Sequence, residues 1–177
     1  MNVTEDPWLS IISISRHNSE YLERMNQLLP QLSKDLPPVN KDDLFDIASQ
    51  DDFCSFVVRD HHYPDKGYFL GTATIFFRRL WSGWVGEIHD VIVDEAFRRH
   101  GFGRLLTNHL FGVAGWKAHK LGQPIKLTLT SRPERAAANA MYLQHGFKLA
   151  AECVKLPDGS YDPEGTNLYR KTIFPSK

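Results

Sequence analysis

Residues 98–106 read RRHGFGRLL: two glycines one residue apart, fenced by three arginines, where an apolar strand pattern gives way to a helical one. Glycine there costs backbone entropy, and clustered arginines repel one another. Anion binding would offset both costs. A helix N-terminus exposes unpaired N–H groups and a partial positive charge. Gly101 and Gly103 let that backbone approach a phosphate closely, and Arg98, Arg99, His100 and Arg104 add charge-assisted hydrogen bonds. The stretch is not a P-loop, because no Gly-Lys-Ser/Thr follows, nor a dinucleotide fingerprint, because Leu106 stands where the third glycine belongs. Taken alone, it reads equally as a tight turn whose arginines face solvent.

Working outward, Leu9 to Ser15 alternates as a short strand. Asn18 or Ser19 is a candidate cap for a helix to about Lys34, with Tyr21, Leu22, Met25, Leu28, Leu29 and Leu32 as its apolar stripe and Pro37-Pro38 as its stop. A second helix covers Lys41 to Ser49 with Leu44, Ile47 and Ala48 inward. Three strands follow, Phe53 to Arg59, Tyr68 to about Arg79 and Trp84 to Val93. A polar turn with Pro64 separates the first two, and a Ser82-Gly83 hairpin turn joins the last two. Beyond the opening stretch, Leu105, Leu106, Leu110, Val113 and Lys117 keep helical spacing up to Gly122. Ile125 to Thr130 alternates as a strand. Ser131 and Glu134 resemble a capping box for a helix carrying Ala137, Ala140, Met141 and Leu143. Phe147 to Lys155 and Asn167 to Ile173 read as strands around a loop holding Pro157, Asp158-Gly159 and Pro163. The order β-α-α-β-β-β-α-β-α-β-β, with early hairpins and later β-α-β crossovers, predicts an α/β fold: a mixed, mostly antiparallel sheet with helices on its faces.

The length of 177 residues suits one domain over 1–177. Acidic and basic residues balance at 21 each, which argues against non-specific nucleic-acid binding. No apolar run reaches ~18 residues, so no membrane helix is expected. The opening MNVTEDPW has neither the basic flank nor the apolar run of a signal peptide. Without secretion, the sequon at Asn2-Val3-Thr4 carries no weight. Cys54 and Cys153 lack metal or redox spacing and read as reduced thiols. The expectation is a cytoplasmic protein with no metal, membrane or nucleic-acid partner. Asp60-His61-His62 has no partner spacing for a metal and reads as a surface turn.

A second constellation lies downstream. Residues 137–147 read AANAMYLQHGF, with Asn139 and Tyr142 three apart on one helix face. By itself this is an ordinary amphipathic helix. Together, the two runs are decisive. RRHGFG resembles the Arg/Gln-x-x-Gly-x-Gly/Ala acetyl-CoA motif of the GNAT N-acetyltransferase superfamily, and the second run resembles that superfamily's Asn-x-x-Tyr-x-x-x-Gly-Phe helix. The resemblance covers Trp84 to Phe147 well and the flanking strands loosely. It implies the GNAT fold and acetyl-CoA as co-substrate. Backbone groups of Val91, Ile92 and Val93 would bind the pantetheine arm as an added strand. Amides from Arg99 to Arg104, with Phe102 among them, would hold the pyrophosphate. Asn139 would bond the pantetheine region and Tyr142 would lie near the thioester sulfur. GNAT dimers leave a homodimer open.

Making an amide from a thioester needs a neutral amine, a stabilised carbonyl oxygen and a protonated or solvated leaving thiolate. Amines with pKa near ~10 are mostly protonated at neutral pH, so a base is useful. Alternation puts Glu87 and His89 on one strand face with Val91 and Val93, and Asp90 on the other; a bulge would disturb that parity. Glu87 lies fourteen residues before Gly101, resembling the general-base glutamate of histone-type members, and His89 is the alternative base. Tyr142 is the candidate proton donor to the thiolate, and Asp90 a local or substrate contact. The acceptor is a primary amine: a small amine, amino acid, amino sugar or peptide. A non-catalytic acyl-CoA sensor with the same fold is the alternative, and amine-dependent thiol release separates the two.

Overall fold

The computed structural model describes residues 7–63, 65, 67–162 and 165–176. The sequon, Pro64 and Pro163 lie outside those residues. The elements are β1 Leu9–Ser13, α1 Leu22–Leu32, α2 Lys41–Ala48, β2 Phe53–Asp60, β3 Gly71–Leu80, β4 Gly83–Val93, α3 Phe102–Leu121, β5 Ile125–Ser131, α4 Ala136–Gln144, β6 Lys148–Ala151 and β7 Asn167–Ile173. This is the expected order. The seven strands form a mixed sheet in the order β1-β2-β3-β4-β5-β7-β6. β4 and β5 run parallel, while β1–β2, β2–β3, β5–β7 and β6–β7 are antiparallel. The parallel strands β4 and β5 are joined through α3, the crossover that parallel pairing requires.

The chain divides into two compact units, Met1–Phe76 with Asp90–Phe111, and Phe77–His89 with Gly112–Lys177. In the first, the α1 stripe does what its spacing predicts. Tyr21 and Leu28 are buried with Val57, Phe69 and Ile92, and Met25, Leu29 and Leu32 pack against them. Gly71 is required where β3 meets β4, since a Cβ there would lie 2.6 Å from the Ile92 carbonyl oxygen. In the second unit, β5 buries Ile125, Leu127, Leu129 and Ser131 in strict alternation. Tyr142 packs edge-on to Phe147 and beside Tyr169.

Several local expectations are corrected. Asn18 does not cap a helix; its Oδ1 accepts from Ser15 N and Ser15 Oγ, and a 3-10 turn at Ser19–Tyr21 leads into α1. The cap that does form is Asn40 with Asp43, a reciprocal capping box on α2. β3 begins at Gly71 rather than Tyr68, because Phe69 and Leu70 are buried in the preceding loop. The β3–β4 turn falls on Trp81-Ser82, one residue earlier than expected. Ser131 caps nothing: it pairs with Asn167 as the last residue of β5, and α4 starts only at Ala136. On α4 the buried residue is Tyr142, while Ala137, Ala140 and Leu143 face outward. The strand expected from Phe147 to Lys155 is cut to Lys148–Ala151, with an irregularity between Leu149 and Ala151.

Candidate functional site

In the first unit, β4 ends at Val93 and α3 starts at Phe102. Two residues between them take left-handed backbone, Arg99 at φ 68° and Gly101 at φ 89°. Left-handed φ is natural for glycine and costly for arginine. Alternating hands of backbone turn successive amides toward one point, an anion-binding concavity. Leu105 N returns to the Gly101 carbonyl at 2.9 Å and closes the first helical turn. The amides of Gly101, Phe102 and Gly103 have no acceptor among the described residues, as expected for a helix start. Arg99 and Arg104 are exposed. His100 Nδ1 is turned inward, 2.9 Å from the Arg98 carbonyl. Arg98 is used differently from the expectation that its side chain meets a phosphate. Its Nε donates to the Val93 carbonyl at 3.2 Å and its Nη2 to Gln31 Oε1 at 3.3 Å.

Gln31 also accepts from Glu95 N at 2.9 Å, so α1 grips the segment leading into the turn. A stronger grip lies about two helical turns back. Arg24 pairs with Asp94 through Nη2, donates from Nε to the Phe69 carbonyl at 2.9 Å and from Nη1 to Gln27 at 3.0 Å. Its guanidinium also sits 4.4 Å from the Tyr68 ring centroid. Asp94 in turn accepts from Ala96 N at 2.8 Å. Sequence reasoning missed this pair. Position 24 lies on the same stripe as Tyr21 and Leu28, and an arginine on a buried stripe signals a buried carboxylate partner.

In the second unit, the two alternative bases are neighbours. Glu87 Oε1 accepts from Arg78, and its Oε2 lies 3.7 Å from His89 Nε2. Both side chains share a strand face, as the alternation predicts. The next residue, Asp90, adopts φ 50°, which breaks the regular β geometry there.

On α4, Asn139 Nδ2 donates to the carbonyls of Arg132 and Pro133 at 3.0 and 3.2 Å, stapling the loop after β5. Its Oδ1 is buried with no hydrogen-bond partner among the described residues, and so is Ser131 Oγ. An orphaned buried acceptor is costly unless a donor arrives. Tyr142 is 5% exposed, and burial pushes its phenol up to about 12, against a partial lowering by Arg135. It therefore keeps its proton at neutral pH and is available as a hydrogen-bond donor. Burial, reinforced by Arg132, lowers Arg135. Among the described residues no group of three His, Cys, Asp or Glu side chains is arranged to hold a metal, and no helix is long and apolar enough to cross a membrane.

The family model described as Acetyltransferase (GNAT) family matches residues 21–147. No curated protein matches the chain by sequence. Among solved structures, Arabidopsis thaliana NAA60 in complex with a bisubstrate analogue is 16% identical, covering 94% of this chain and 100% of its own, with TM-score 0.69. The ribosomal-protein-S18-alanine N-acetyltransferase of Escherichia coli is 18% identical over 96% of both chains, with TM-score 0.61. A Trypanosoma brucei acetyltransferase is 24% identical over 84% of this chain and 98% of its own, with TM-score 0.65. At these identities the likeness is one of fold.

Proposed function

The chain belongs to the acetyltransferase (GNAT) family, and from that premise we propose that it transfers the acetyl group of acetyl-CoA to a primary amine of a small molecule or peptide, by direct attack in a ternary complex. The observation that carries this reading is the turn at Arg99 and Gly101, whose two left-handed residues precede the free amides at the start of α3. Bound acetyl-CoA supplies an activated acetyl thioester; the protein supplies position, charge and proton handling.

Amides from Arg99 to Arg104 hold the pyrophosphate, with the exposed Arg99 and Arg104 adding positive charge. The side chains of Arg98 and His100 shape the turn instead of reaching the anion. Val91, Ile92 and Val93 offer their strand edge to the pantetheine arm. Asn139 fits the same ligand, because its orphaned Oδ1 wants an N–H donor and the arm carries amide N–H groups. Tyr142 donates a hydrogen bond to the departing sulfur. A full proton transfer from a phenol near 12 to an ordinary thiolate near ~8.5 would be uphill by roughly 5 kcal/mol. The phenol therefore stabilises the thiolate by a charge-assisted hydrogen bond, and the proton lost by the amine balances the reaction. Glu87 takes that proton through Oε2, directly or through a water, and His89 beside it passes the proton outward.

The test is release of free CoA thiol from acetyl-CoA with a panel of amino sugars, amino acids, polyamines and peptides, alongside thermal unfolding with CoA. Thiol release that depends on an amine, with a raised unfolding temperature in CoA, is expected. Stabilisation by CoA with no thiol release for any amine would instead mark a sensor.

A further inference from the structure

The first unit holds an apolar groove of about 130 Å³ among α1, α2, β2 and β3, with Asp90 at its edge. Its walls are Met25 and Leu29 of α1, Leu44 and Ile47 of α2, and Phe53 of β2. α2 buries none of its residues, and Ile47 is 36% exposed. An amphipathic helix normally buries its apolar side; here that side faces the groove instead of packed atoms.

The polar groups in the groove are mostly spoken for. Thr72 Oγ1 donates to the Phe56 carbonyl at 3.0 Å, and Thr74 Oγ1 donates to Ser55 Oγ at 3.0 Å. Asn18 accepts twice from Ser15 and donates to Glu20. A polyhydroxylated ligand would give up water there without regaining its hydrogen bonds. An alkyl or aryl group would gain by leaving water. Among the described residues the one carboxylate in the lining is Asp90, exposed and held at φ 50°. Strained backbone of this kind accumulates at functional positions, and the carboxylate complements an ammonium ion.

We propose that this groove receives the hydrophobic substituent of the acceptor, with Asp90 drawing in its ammonium group. The acceptor class is then a primary amine bearing an apolar side group about the size of a leucine or phenylalanine side chain. An amino sugar is excluded, and so is a polyamine. The inference rests on the acetyltransferase reading and narrows it. Free small amines and peptide N-termini share this chemistry, and the arms of the test separate them.

The experiment measures kcat/KM for leucinamide, glycinamide, glucosamine, spermidine and a short peptide beginning with leucine, on the full chain. Leucinamide should exceed glycinamide by roughly tenfold or more, as burial of one aliphatic side chain implies, and should exceed glucosamine and spermidine as well. A peptide faster than leucinamide would assign the natural source to a chain terminus; a peptide slower than leucinamide would assign it to a small amine. Ala48→Phe, on the half-buried rim of α2, fills the groove and should erase the preference for leucinamide over glycinamide. Asp90→Asn keeps a residue tolerant of left-handed backbone while removing the charge, and should raise KM for leucinamide with a smaller change in kcat. Glucosamine, spermidine or glycinamide matching leucinamide would overturn this proposal and leave the transferase reading standing. No thiol release with any amine would overturn both.

Discussion

Each unit of the molecule contains an arginine–carboxylate pair, and the two differ in what surrounds them. Arg24–Asp94 is enclosed, with side-chain exposures of 9% and 10%, and every arm of the guanidinium has a further partner. Arg78–Glu87 is open, at 50% and 26%, with His89 Nε2 3.7 Å from the second carboxylate oxygen. A buried pair is expensive to desolvate, and removing one partner strands the other. A half-exposed pair contributes little stability and is easily opened. The contrast matches the tasks proposed for each. The enclosed pair fixes the segment that leads into the cofactor turn. The open pair holds Glu87 by Oε1 and leaves Oε2 able to take a proton.

Four outcomes would sharpen or break this contrast. The largest concerns the enclosed pair. Asp94→Asn keeps an acceptor for Ala96 N but strands Arg24, and should lower unfolding stability in chemical denaturation by about 3–5 kcal/mol. A loss below about 1 kcal/mol would place the two pairs in one class. Next comes the open pair. Glu87→Gln should reduce kcat roughly a hundredfold, while Arg78→Ala shifts stability by no more than about 1 kcal/mol; full activity in Glu87→Gln would remove the base assignment. Tyr142→Phe should lower kcat by roughly tenfold to a hundredfold, with acetyl-CoA affinity nearly unchanged in a calorimetric titration. Unaltered turnover there would leave Tyr142 as packing alone.

The smallest effects are in pH dependence, and they carry opposite signs in the two units. Tyr142 holds its proton up to about 12 in the native state, whereas an unfolded tyrosine loses it near ~10. Native protein thus binds more protons across that window, and stability falls as pH rises through it. Wild type should lose up to about 2–3 kcal/mol relative to Tyr142→Phe between roughly pH 10 and 12. In the first unit, burial against Phe56 lowers His109 below the usual histidine value. The unfolded chain then binds the proton first, so stability present above ~6.5 is lost as pH falls. Denaturation curves for His109→Gln should converge with wild type on the acid side.

The sequence made the sheet and the turn legible because both rest on local signals. Alternation in Ile125–Ser131 and the Gly101/Gly103 spacing survive into the structure with only boundary shifts. The site was half legible. Strand parity brought Glu87 and His89 together, and helical spacing put Asn139 and Tyr142 on one face. What escaped depends on contacts distant in sequence. Arg24 meets Asp94 seventy residues away, and no local pattern announces that partner. Ser131 read as a helix cap because serine followed by glutamate three residues later satisfies that motif. Pairing with Asn167 of β7 holds it in the strand instead, a tertiary override of a local preference. The groove beside α2 escaped for a similar reason. Leu44, Ile47 and Ala48 read as core residues, and only the folded chain leaves space beside them.

The central claim is direct acetyl transfer, and isotope-labelled acetyl-CoA tests it in one experiment. The protein is incubated with the labelled thioester, first alone and then with leucinamide, and both protein and amine are weighed by mass spectrometry. The account predicts an unlabelled protein in both cases, and label on the amine only when amine is present. Label appearing on the protein before the amine is added, or staying on the thioester throughout, would contradict it.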